Sequence, residues 1–207
     1  NDGVMFKNGK WVVNSKENVA TMTFLKKLTD QKLTQPNPAK CDRTACAQTL
    51  FASGKAAFIN GSVFLPGWLK DNGGAAINLG SGSFVAAPGK KPVTLGVQDY
   101  FTAYKANGHK AEITKWMDFI FEPTNYAGFL KAAGGFIPAT KSAGAAAAKD
   151  PALAPFIALL PSAIFYPGDQ AAFPAVKGAI QQQIGTALVN PKKTMDALQA
   201  KALAASK

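Results

Sequence analysis

The sequence predicts an α/β fold on three observations: short apolar runs of strand character, amphipathic helical segments between them, and Gly- or Pro-bearing turns at their junctions. Val4 to Val13 reads as strand, turning at Asn8-Gly9, a dipeptide that tolerates the positive φ of a tight hairpin. Asn14 reads as the cap of a helix, with Glu17 three residues on. Val19, Met22, Phe24, Leu25 and Leu28 give that helix a broad apolar face, and it should end near Gln31, ahead of Pro36-Asn37-Pro38. A second helix fits Thr44 to Ser53, closed by Gly54. Strands are predicted at Ala56 to Ile59, Phe84 to Ala87 and Val93 to Tyr104, with a Gly-rich, turn-forming stretch from Pro66 to Gly82. The clearest helix carries Ile113, Trp116, Met117 and Ile120 at i, i+3, i+4 and i+7, stops at Pro123, and is followed by another from Asn125 to Ala133. Gly134-Gly135 breaks the chain, and Ser142 to Lys149 reads as a surface helix turn. Asp169 reads as the cap of a long helix whose face is Phe173, Val176, Ile180, Ile184 and Leu188. Asn190-Pro191 starts the last helix, with Met195, Leu198 and Ala202 facing inward.

Composition narrows the function classes. The chain has 207 residues, 47% hydrophobic and 17% charged, an ordinary globular balance without internal repeats. Its apolar runs fall far short of a membrane span of about 20 residues. It opens Asn1-Asp2-Gly3-Val4, without initiator Met or apolar leader, as a mature secreted protein or an internal fragment would. The net charge of +11 favours polyanions in general. Its 23 basic residues are scattered singly or in pairs, however, and only Arg43 is an arginine, so nucleic acid is not an expected partner.

Catalytic and metal signatures are lacking. His109 is the single histidine, at the polar helix entry Asn107-Gly108-His109-Lys110, and reads as a surface residue. No Ser precedes a Lys by three positions, Gly80-Ser81-Gly82-Ser83-Phe84-Val85 lacks the final Gly of a dinucleotide fingerprint, and no zinc spacing occurs. No cofactor, metal or catalytic residue is therefore expected. Asn60-Gly61-Ser62 has the form of a glycosylation acceptor. Cys41 and Cys46 are too far apart for a C-x-x-C redox pair. A small-loop disulfide, which would imply an oxidising compartment, stands against two free buried thiols.

Rings sit beside turns together with amides and carboxylates: Phe64 and Trp68 near Asn60; Tyr100 and Phe101 near Gln98 and Asp99; Phe165, Tyr166 and Phe173 near Asp169 and Gln170. An aromatic face stacks on the C–H face of a pyranose while planar polar groups bond its hydroxyls, although each ring could equally be packed in a core.

An ordered series of segments resembles the bacterial extracellular solute-binding proteins of sugar ABC transporters. Phe51-Ala52-Ser53-Gly54-Lys55-Ala56-Ala57-Phe58-Ile59-Asn60-Gly61 is similar to the family pattern F-x-x-G-K-A-A-M-x-x-x-G. Phe84 to Gly89, Gly96-Val97, Lys110 to Phe121, Gly135-Phe136-Ile137-Pro138 and Tyr166 to Val176 follow in the family's order, and Ser15 to Leu28 resembles the helix opening its carboxy-terminal lobe. Val63 stands where members often carry Trp, so Phe64 or Trp68 would supply the stacking ring.

The resemblance implies a periplasmic-binding-protein-like fold, here the carboxy-terminal lobe with the returning segment of the amino-terminal lobe. Residues 1–97 would form the first part of the carboxy-terminal lobe, 98–150 would pack in the other lobe, and 151–207 would supply the closing helices. It implies a non-catalytic, periplasmic or extracellular binding component, lipid-anchored in its full-length form. The partners implied are a sugar or oligosaccharide, permease subunits and the missing amino-terminal half. Asn60, Ser62, Phe64, Trp68, Gln98, Asp99, Tyr100, Asp169 and Phe173 are the ligand-binding set expected on that basis. The other reading from sequence is a polyanion or nucleic-acid binding module using the positive charge.

Overall fold

A computed structural model describes residues 1–105 and 108–207. Asn107, read as part of the entry to a helix, lies outside the described residues. Among the described residues helices dominate, and the strands are four pieces of two or three residues, a mixed α and β composition. The chain divides into two compact units, one of Asn1–Cys46, Val85–Pro92 and Phe165–Lys207, the other of Ala47–Phe84 and Val93–Ile164.

In the first unit, Asn8 (φ 51°) and Gly9 (φ 75°) form the expected turn. It joins β1 (Phe6–Lys7) to β2 (Lys10–Trp11) as an antiparallel hairpin that pairs Phe6 with Trp11 and Lys7 with Lys10. Helix α1 (Lys16–Asp30) follows and ends at Gln31 as predicted, but its cap is Ser15, whose hydroxyl accepts from Asn18 N at 3.2 Å. Asn14, the expected cap, instead donates to Asp196 Oδ1 at 2.9 Å. Asn18 ties the hairpin to α1 by donating its amide to the carbonyls of Val4, Val12 and Val13.

The end of the chain completes this unit. Helix α8 (Phe173–Gln183) passes into a 3-10 turn, Ile184–Leu188, and α9 (Pro191–Ala205) starts with Pro in its first turn and the Asn190 side chain accepting from Lys193 N. Ala172, rather than Asp169, occupies the cap position of α8. The core includes Trp11, Val13, Met22, Val176, Met195, Leu198 and Ala202, so the face predicted for α9 is buried. Of the face predicted for the long helix, Val176 alone is buried; Phe173 and Ile180 on α8 and Ile184 and Leu188 in the 3-10 turn are partly buried against the core. Gln199 locks hairpin to helix across nearly the whole sequence: its Oε1 accepts from Val13 N at 2.7 Å and its Nε2 donates to Trp11 O at 2.9 Å. Both would otherwise be costly orphan backbone groups in a part-buried setting.

Cys41 and Cys46 form a disulfide, with Cα atoms 5.2 Å apart. Closing so short a loop removes about 2 kcal/mol of unfolded-chain entropy. The Cys41→Ser, Cys46→Ser double variant is therefore expected to be less stable by about that amount, measured by urea unfolding. Alkylation of the unreduced protein should find no thiol; two modified thiols would contradict the bond.

The second unit begins within a π-helical turn, Arg43–Gln48, which leads into α2 (Thr49–Ala52). Gly54, at φ +71°, ends it, with Gly54 N donating to Phe51 O and Lys55 N to Leu50 O, so a residue bearing Cβ would be strained there. Three expected strands are corrected. Residues 56–59 and 84–87 are irregular, with Phe58 92% exposed, and of Val93 to Tyr104 only β3 (Thr94–Gly96) is strand. A strand needs a partner for its backbone groups. Among the described residues β4 (Ala163–Phe165) supplies one, pairing with β3.

The stretch expected to be turns contains α3 (Leu65–Asp71), with Pro66 in its first turn. Leu65 and Leu69, one turn apart, bury against Phe51 as a small core. Helix α4 (Lys110–Ile120) forms as predicted, yet none of its side chains is fully buried. Glu122 caps α5 (Pro123–Ala132) by accepting from Thr124 N and Asn125 N, both at 3.0 Å, and these bonds hold its carboxyl below the ordinary carboxylate range. Gly134 and Gly135, at φ 100° and 87°, close α5, and Tyr126 Oη then accepts from Ala139 N. Three short pieces lead to β4: α6 (Lys141–Ala147), α7 (Ala154–Ile157) and a 3-10 turn, Leu160–Ser162.

Phe58, Val97, Tyr100, Tyr104 and Phe119 in the second unit, and Leu33, Val85 and Val189 in the first, are each more than 60% exposed.

Candidate functional site

The predicted ligand-binding residues fall into three local groups. In the second unit, Asn60, Ser62, Phe64 and Trp68 lie on one continuous stretch, the loop before α3 and its first turns. Asn60 is exposed, and Ser62, Phe64 and Trp68 are half-buried. Trp68 rests on the Phe51, Leu65 and Leu69 core, so it is partly a packing residue. Ser62 accepts from Leu65 N through its carbonyl, which starts the helix, while its hydroxyl is buried without a protein partner. Loop tightness has a local cause: a Cβ on Gly61 would meet Leu65 Cδ2 at 2.5 Å.

Gln98, Asp99 and Tyr100 follow β3 in irregular chain, all exposed, with Tyr100 Oη donating to Gln98 Oε1 at 2.9 Å. The third group belongs to the first unit. Phe173 opens α8 and packs on that unit's core, its ring 5.7 Å from Tyr166, and Phe173 N donates to Gln170 O. Asp169 is exposed and accepts from Gln170 Nε2 at 2.8 Å. The structure thus brings together Asp169 and Phe173, Gln98 and Tyr100, and Asn60 through Trp68, each within its own segment.

The largest aromatic assembly was not in the predicted set. Phe101 sits at its centre, with ring centroids 5.4 Å from Trp116, 5.5 Å from Phe121 and 5.6 Å from Phe129, and Phe121 stacks in turn on Tyr126 at 5.0 Å. Phe101, Tyr104, Glu112, Ile113, Trp116 and Met117 line an open pocket of about 370 Å³. Trp116 is 48% and Phe119 61% exposed, although both stand on an otherwise regular helix. The sequence signal was the apolar face of α4 itself, which exceeds what α5 covers. Among the described residues no group of three or more His, Cys, Asp or Glu could hold a metal ion, and no helix is long and apolar enough to cross a membrane. His109 is exposed at the cap position of α4, as expected.

No family profile matches the chain, and no curated protein is detectably similar to it.

Proposed function

We propose that the chain is the carboxy-terminal half of the substrate-binding component of a sugar ABC transporter. It holds a sugar or oligosaccharide in an interlobe cleft for delivery to permease subunits and performs no catalysis. The finer fold on this reading is periplasmic-binding-protein-like, with 98–150 belonging to the lobe whose remainder is a separate amino-terminal half. One observation carries it: α4, within the segment that the resemblance assigns to the other lobe, is a well-formed helix with Trp116 and Phe119 uncovered. A helix exposing two large rings beside an aromatic cluster is the surface a companion lobe would bury. The Cys41–Cys46 disulfide fits a periplasmic or extracellular protein, lipid-anchored at full length. The segments carrying Phe64, Trp68, Tyr100 and Phe173 set rings near Asn60, Gln98, Asp99 and Asp169 in sequence, the groups a pyranose requires.

Half a cleft leaves one face of the ligand in water. Several missing hydrogen bonds at about 1 kcal/mol each weaken binding by orders of magnitude. Tryptophan fluorescence titrated with mono- and oligosaccharides is expected to give dissociation constants of about 1 mM or weaker, near −4 kcal/mol, with little salt dependence. Trp68→Ala should abolish the response. No response to any saccharide would remove the sugar reading, and micromolar binding by the isolated chain would remove the half-protein part of it.

A further inference from the structure

The positive charge is not spread evenly. Fifteen of the 23 Lys and Arg but only six of the 12 Asp and Glu fall in the first unit, a formal +9 against +2 for the second. The four ion pairs among the described residues, Lys16–Glu17, Lys26–Asp30, Lys90–Asp2 and Lys192–Asp196, all lie in the first unit and occupy four of its six carboxylates. Four lysines of this unit, Lys7, Lys10, Lys90 and Lys91, stand at or beside the hairpin. Lys7 and Lys10 stand directly opposite each other across β1 and β2, both exposed, an arrangement of like charges that costs stability when nothing compensates it. Asp2 lies among them, held by Lys90 at 2.5 Å with Lys91 next in the chain, and Glu17, paired with Lys16, also acts on Lys90. The hairpin's rings turn the other way: Trp11 is buried, and Phe6 packs edge-on against it and the core.

We propose that this lysine corner of the first unit docks on an anionic lipid bilayer. A bilayer presents diffuse negative charge, which compact, flexible ammonium groups meet without needing a fixed geometry. Nucleic acid would use arginine forks and a ring on which to stack bases, and an acidic polysaccharide would want rings or planar amides; the corner offers point charges alone. The inference goes beyond the transport reading and does not rest on sugar binding.

Co-sedimentation of the full chain with vesicles of phosphatidylcholine containing phosphatidylglycerol, against phosphatidylcholine alone, tests it. Binding is expected to the anionic vesicles only and to vanish at high salt. Each lysine at such a surface strengthens partitioning about fivefold, so Lys7→Gln with Lys10→Gln should weaken it about 25-fold. Lys7→Arg with Lys10→Arg should retain it. Lys55→Gln with Lys70→Gln, the same loss of charge in the second unit, should change it by less than about twofold. Equal losses from both pairs of neutralisations, no preference for anionic vesicles, or tighter binding to single-stranded RNA or heparin at the same salt would each overturn the proposal.

Discussion

Leu198→Ala is expected to destabilise the first unit by about 3 kcal/mol, a large share of the stability of a body this size. Leu198 is 1% exposed and belongs to the core that joins α9 to Trp11, Val13, Met22 and Val176. Truncation removes the transfer energy of three carbons and leaves a cavity that α1, α8 and α9 cannot all move to fill. The neighbouring Gln199 clip to Val13 N and Trp11 O resists such movement, because closing the gap would stretch bonds of 2.7 and 2.9 Å. Leu203, on the same helix but 51% exposed, supplies the contrast: Leu203→Ala should change stability by less than about 0.5 kcal/mol. Urea unfolding followed by circular dichroism measures both. A loss below about 1 kcal/mol for Leu198→Ala would mean that the core around α9 is loosely packed.

The parts of this unit that could be read from sequence are those whose cause is local. Asn8-Gly9 needs only its own backbone freedom to turn the hairpin, and Asn190-Pro191 caps α9 from within four residues. Where the cause is distant, the local reading fails. Asn14 and Ser15 are adjacent cap candidates, and Asp196, 182 residues on, recruits the first and leaves the cap to the second. The apolar runs at 56–59 and 84–87 have strand composition, but composition cannot supply the partner that a strand's backbone requires. Helix α3 was hidden by Pro66-Gly67, which resembles a turn; the legible clue was Leu65 and Leu69 one helical turn apart, with Pro at the tolerated start.

The candidate site was less legible than the fold. Stacking residues could be picked out as rings beside turns, yet the same rings serve as packing residues where a core is near, as Trp68 and Phe173 do. The Phe101 assembly draws on chain before α4, on α4, on its end and on α5, so no single window of sequence displays it.

Replacing Trp116 and Phe119 together by lysine is expected to abolish self-association of the chain while leaving its helices intact. Each ring leaves roughly 100 Å² of apolar surface in water, about 2.5 kcal/mol of unused burial. Both stand on α4, which packs against α5, and both remain largely uncovered by the described residues. Two molecules that cover half of this surface would gain about 5 kcal/mol from their four rings, a factor of about 5,000 in the dissociation constant. Lysine keeps an aliphatic stem and high helix propensity but puts a hydrated charge at the centre of the contact, so repulsion adds to the lost burial. Sedimentation velocity over a concentration series should show association of the parent chain and a monomer for the variant. The circular dichroism spectra should coincide, since neither ring is buried. If the surface belongs instead to the packed interior of a larger body, as the half-protein reading requires, an added amino-terminal half should compete with self-association and should fail to bind the variant. A parent chain that stays monomeric at every concentration, or a variant that associates equally well, would show that this face is not an unfilled interface.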